Sequence, residues 1–152
     1  MARNGFMGLL IVAALALGGA QSAPVIAQTT DSAPLASVRL ARKVTANGQP
    51  LAAGTYSVRL SNDAVTPVVG QAADGSRWVE FVQGDQVKGR ELATVLTAAD
   101  AKTVVKSGKP PAAGSARVEL LKGSSYVRVW INRGGTQYLI HLATVRPATS
   151  AR

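Results

Sequence analysis

The stretch YVRVWINRGGTQYLIHLATV, residues 126–145, decides the fold class. Two runs with apolar residues at every second position flank Gly134 and Gly135, and a two-residue glycine loop has the backbone twist that joins antiparallel strands. With the turn at those glycines, Arg133 faces Thr136 and Ile131 faces Tyr138. Val127, Val129 and Ile131 then share a face with Tyr138, Ile140 and Leu142, which makes a core layer. The opposite face gathers Tyr126, Arg128, Trp130 and Asn132 beside Gln137, Leu139 and His141. Moving the turn by one residue on both strands keeps that division, because strand side chains alternate with a period of two.

The same alternation extends toward the N-terminus. In 37–45, Val38, Leu40 and Val44 fall on one face; in 55–61, Tyr56, Val58 and Leu60 oppose Thr55, Ser57, Arg59 and Ser61. Further strands are expected at 64–69, 76–83, 87–96 and 116–122. Turns are supplied by Asn47 with Gly48, by Gly54, by Asp74 with Gly75, by Gly84 with Asp85 and by Gly123 with Ser124, residues that tolerate or promote the reversed backbone a turn requires. Short strands at such intervals predict a mainly β fold, an antiparallel β-sandwich or barrel, and the choice between the two stays open. One segment breaks the pattern. TAADAKTVVKSG carries Thr97 as an N-cap, Asp100 three places on, Lys102 and Lys106 toward its end and Gly108 before two prolines, which predicts one short helix near 98–106. Its expected role is to cover an open end or edge of the β structure.

Two local patterns stand out. GQPLAAGTYSVRL at 48–60 echoes GKPPAAGSARVEL at 108–120, and we read the echo as a reused bend that delivers the chain into a strand. The run NGQPLAAGTYSVRL, through Gly48, Leu51, Ala53, Gly54, Thr55 and Tyr56, resembles the G..LPAGTY-type turn of small exported bacterial β domains, with Ala52 where that turn often has proline. The resemblance implies an exported β domain and carries over no catalytic or binding residue.

The first residues support the same address. Arg3, an apolar run over 6–17 and the small residues leading to Ala27 have the order of a secretory signal peptide. The run is shorter than the roughly 20 residues that span a bilayer, so a permanent anchor is the weaker alternative. Cleavage is expected after Ala27, with Ala20 and Ala23 as alternatives. The expected organisation is a signal peptide at 1–27, a flexible leader at 28–36, a single β domain at 37–146 and a tail at 147–152. The expected localisation is periplasmic or secreted. The export route would permit disulfides, but the chain has no cysteine, so packing alone must hold the fold.

Seventeen Lys and Arg face eight Asp and Glu. Loss of the signal peptide removes only Arg3, and the remaining excess favours polyanions. In sequence, however, the basic residues form no cluster, which disfavours nucleic acid. The partners expected are an anionic polysaccharide, a lipid headgroup or an envelope protein.

No chemistry of catalysis emerges. One histidine and no cysteine leave a transition-metal site short of ligands, and neither a metal nor another cofactor is expected. His141 is the only base available to a serine nucleophile, and no serine occupies a GxSxG elbow. GDQVKGRE, 84–91, has the glycine spacing of a phosphate loop but Arg90 and Glu91 where lysine and a hydroxyl are needed. Glu80, Glu91 and Glu119 are expected on outward strand faces opposite basic neighbours. The candidate ligand-binding residues are therefore Tyr126, Arg128, Trp130, Gln137 and His141, since aromatic rings beside amides and a guanidinium suit a sugar or an anion. The competing possibility is that Trp130 is simply covered by another element. The sequence thus points to a non-enzymatic exported β module binding an anionic or carbohydrate envelope component. A small extracytoplasmic hydrolase with an unlocated site is the alternative.

Overall fold

The computed structural model describes residues 33–67, 69–70, 75–105 and 108–145. They form strands β1 (Ala36–Leu40), β2 (Val44–Ala46), β3 (Gln49–Leu51), β4 (Gly54–Leu60), β5 (Ser76–Gln83) and β6 (Gln86–Leu96), then helix α1 (Ala98–Val104). Strands β7 (Ala116–Leu120), β8 (Tyr126–Arg133) and β9 (Thr136–Thr144) follow. The β8–β9 hairpin has the register read from its glycines, with Arg133 opposite Thr136 and Ile131 opposite Tyr138. Its inward face is buried throughout, from Val127 to Leu142.

Tracing hydrogen-bonded neighbours gives the order β1-β4-β5-β6-β9-β8-β7, and every step is antiparallel. An even number of reversals leaves β1 and β7 running in the same direction. These two strands approach until Cα atoms lie within 8 Å, yet they share no ladder among the described residues. The sheet is therefore a barrel that is nearly closed, with a seam between β1 and β7.

The β2–β3 hairpin completes the wall. Strand β6 pairs with β9 only from Ala93 to Leu96, and β2 takes over the same edge of β9 through Val44 and Thr45. Asn47 and Gly48 both have positive φ, 44° and 79°, as a tight two-residue hairpin turn demands. Leu51 then folds across β6 at Gly89. A Cβ on Gly89 would stand 3.0 Å from Leu51 Cδ2, so glycine is what permits this approach. Here lies the physical role of the second glycine in GDQVKGRE.

The LAAGTY turn also has a structural role. The Tyr56 hydroxyl donates to the Ala52 carbonyl at 2.8 Å, and its buried ring meets Phe81 edge-on at 6.2 Å. Burying Tyr56 while its hydroxyl stays bonded ties the turn to the core without an orphaned polar atom. Phe81 and, around this pair, Val58, Val79, Val129, Ile131 and Ile140 have no solvent-accessible surface.

Several sequence expectations need correction. The expected strand at 37–45 is two strands, because β1 pairs with β4 whereas β2 pairs with β9, and the exposed residues Ala41, Arg42 and Lys43 carry the chain between them. Strand β3 was not expected; Pro50 sits there harmlessly because β3 is an edge strand. Residues 64–67 form no strand, and Val69 beyond them is fully exposed; Pro67 offers no N–H for a ladder. Leu35, assigned by sequence to the leader, is buried, and its N–H donates to Val58 at 2.7 Å. The residues before 33 and after 145 lie outside the described residues, and with them the expected signal peptide and tail.

Helix α1 starts as its residues dictate, with Thr97 Oγ1 accepting from the Asp100 N–H at 3.1 Å. It ends at Val104 rather than 106. It covers a face of the sheet, over β8 and β9, rather than an end or edge.

Ile140 occupies the centre of the β8–β9 core layer. Ile140→Ala should cost about 2–5 kcal/mol, read as a lower denaturant midpoint at unchanged m-value in equilibrium unfolding.

Candidate functional site

The outward face of the β8–β9 hairpin is divided in two by α1. Under the helix, Trp130 has no accessible surface and packs with Leu139, Ala101 and Val105, with Leu96 at the margin. Its indole N–H donates to Gln137 Oε1 at 2.7 Å, and Gln137 is itself buried. The two residues satisfy one another in a second, smaller core, so neither ring nor amide is presented to a ligand. Asn132, on the same face, donates through Nδ2 to the Pro111 carbonyl at 3.0 Å and so fastens the loop before β7. The sequence placed these residues on the correct face. It could not tell that the helical segment near 98–106 and the 108–111 segment would fold over them, because that contact is tertiary.

Beyond the helix, Tyr126 and His141 remain on the surface, whereas the Arg128 side chain is largely covered. Tyr126 is half exposed. Arg128 and His141 are direct cross-strand partners, and Arg128 also meets Glu119 across β7–β8, with Nη2 3.0 Å from Oε1. Partial burial, and then the adjacent Arg128 guanidinium, hold the His141 pKa below 6.5. Both causes disfavour the imidazolium, so at neutral pH this ring adds no charge to the face. The structure therefore keeps Tyr126, Arg128 and His141 together and separates them from Trp130 and Gln137.

The described carboxylates are largely engaged. Glu80 receives Arg59 Nε at 2.9 Å, Asp63 pairs with Arg90, and Glu119 holds Arg128. Glu91 departs from expectation: it lies on the strand face of Gly89 and Ala93 and accepts the Asn47 N–H at 2.6 Å, closing the β2–β3 turn. Sequence reasoning missed the exposed stack in which Arg90 Cζ lies 4.7 Å from the Trp78 ring centroid. The alternation in SRWVEF, residues 76–81, was the available signal, since it sets Trp78 outward beside Val79 and Phe81 inward.

Topology also gathers cations that sequence scatters. Arg39 on β1 and Arg117 on β7 lie on the outer face of the strands that flank the seam. Because those strands are parallel, the turns after them, with Arg42 and Lys43 in one and Lys122 in the other, come to the same end of the barrel. All five are exposed, and among the described residues none is in an ion pair. The only carboxylate on either strand is Glu119, already bound to Arg128.

At that end, a cleft of about 120 Å³ opens between Leu40, Val44, Val118, Leu120 and Val127, with Ala41 and Arg42 at its lip. Among the described residues, no three His, Asp or Glu side chains converge in a way that could hold a metal ion. No helix among them is long and apolar enough to cross a membrane. Searches against protein-family models, curated proteins and solved structures gave no match to this chain.

Trp130→Ala should destabilise the protein by about 3–5 kcal/mol, as truncation of a buried aromatic does. Chemical unfolding measures it. A loss under about 1 kcal/mol would mean that the indole is not in the closed environment described, and would return Trp130 to the ligand-binding candidates.

Proposed function

We propose that the protein is a non-enzymatic extracytoplasmic β module that binds an anionic component of the cell envelope through the cations along the β1–β7 seam. The observation that carries this reading is the placement of Arg39, Arg42, Lys43, Arg117 and Lys122 on two adjacent strands and their turns, with their one carboxylate already occupied. Like charges held at one surface raise the local potential and attract polyanions. Such a surface is costly to assemble without a counter-charge, since neighbouring cations repel one another and only partial screening relieves them at physiological salt. A polymeric anion, whose charges recur along a chain, matches a row of cations better than a single small anion does.

The route to the envelope is the N-terminal segment, with Arg3, the apolar 6–17 run and small residues up to Ala27. Tyr126 extends the surface across β8, where its half-exposed ring suits a sugar.

The test is binding of the protein to a polyuronate at low and at physiological salt. Retention should fall steeply as salt rises, and the double variant Arg39→Glu, Lys43→Glu should weaken low-salt binding about tenfold or more while leaving the unfolding midpoint unchanged. Wild-type binding that ignores both salt and the charge reversal would overturn the reading.

A further inference from the structure

The seam holds a feature that its surface charge does not explain. Ala116, Val118 and Leu120 alternate inward along β7, in register with the core residues Ile131, Val129 and Val127. Yet Leu120 is 42% exposed, although its position in the alternation directs it to the core. An inward-facing leucine in contact with solvent lacks the neighbour that barrel closure would supply. The cleft beside it has a floor of buried Leu40, Val44 and Val127. Its lip carries one charged side chain, Arg42.

We infer that this cleft is a binding site for a small apolar carboxylate, whose hydrocarbon tail replaces the missing neighbour and whose carboxylate meets Arg42. Geometry excludes the other natural occupant, an additional strand. A strand inserted between β1 and β7 would hold them about 9.5 Å apart, and they already approach within 8 Å. Volume sets the size of the tail. A cavity of about 150 Å³ lined by apolar residues accepts benzene, so the 120 Å³ here takes a tail of ~five carbons. Charge sets the head group. The cleft wall offers no carboxylate to a cationic head, and a hydroxyl would accept only a single neutral hydrogen bond from Arg42, whereas a guanidinium binds carboxylate through two parallel charge-assisted hydrogen bonds. The inference rests on neither the export route nor the polyanion reading, because a polyuronate has no apolar tail to place in the cleft.

Hexanoate, with a five-carbon tail, is the probe. Methyl-resolved NMR of the full protein should show saturable shifts of Val44, Val118, Leu120 and Val127 on adding hexanoate and none with acetate. Pentylammonium, with the same five-carbon tail, should bind at least tenfold more weakly. The exposed Arg42→Glu variant keeps the cleft intact and should reverse that preference. Val118→Phe should fill the cleft and abolish the shifts of Val44, Leu120 and Val127, and if that variant does not fold, the head-group preference of Arg42→Glu decides. Three results would overturn the inference: no shift of these methyls at the solubility limit of hexanoate, equal response to acetate, or a head-group preference that Arg42→Glu leaves unchanged.

Discussion

Closure of this barrel stops at one seam. The path from β1 to β7 consists entirely of antiparallel pairings, and it returns to its starting point with the two terminal strands parallel. They meet side by side but, among the described residues, without the ladder that joins the other neighbours on this path. Two consequences follow from that single fact. The inward residues at one end of β7 have no neighbour and leave an apolar cleft, and the turns that follow the two strands bring their cations to the same end. The surface proposed as functional is thus a product of the topology rather than of any contiguous motif.

The remaining structure supports this frame with few polar devices. In the absence of cysteine, the core depends on the β8–β9 layer, on the Tyr56–Phe81 contact and on the β2–β3 hairpin, which seals the wall where β6 leaves β9. Gly89 lets Leu51 close over it, and Glu91 fixes the turn of that hairpin through the Asn47 N–H. The Trp130–Gln137 bond carries the helix side. An indole N–H buried without a partner would cost about 1–3 kcal/mol, and the buried Gln137 acceptor removes that cost while α1 excludes water from both.

Local pattern was legible and tertiary covering was not. The register of β8 and β9, the inward set from Val127 to Leu142 and the Thr97 cap of α1 could all be read from residue type and spacing, since each depends on neighbours in sequence. The break at Ala41–Lys43 had one local signal, the charged Arg42 at an inward position between Leu40 and Val44, and the change of partner from β4 to β9 reveals two strands. Residues 64–67 failed in the opposite sense, since Ala64 and Val65 are apolar yet form no strand. For the candidate site, alternation correctly separated the two faces of the hairpin, but Trp130 and Gln137 had the same outward parity as Tyr126, Arg128 and His141. The helix that divides them is fixed by packing of Ala101 and Val105, which no spacing rule assigns to a particular face.

The open seam is the claim on which both the charged surface and the cleft depend, and amide hydrogen exchange of 36–40 and 116–120 tests it most directly. Strands bonded on one side only should protect every second amide and leave the alternate ones exchanging fast, while β8 and β9, bonded on both sides, stay protected along their paired lengths. That alternation in both β1 and β7 is the result expected. Uniform slow exchange through the two strands would show the seam to be zipped, and would contradict the account.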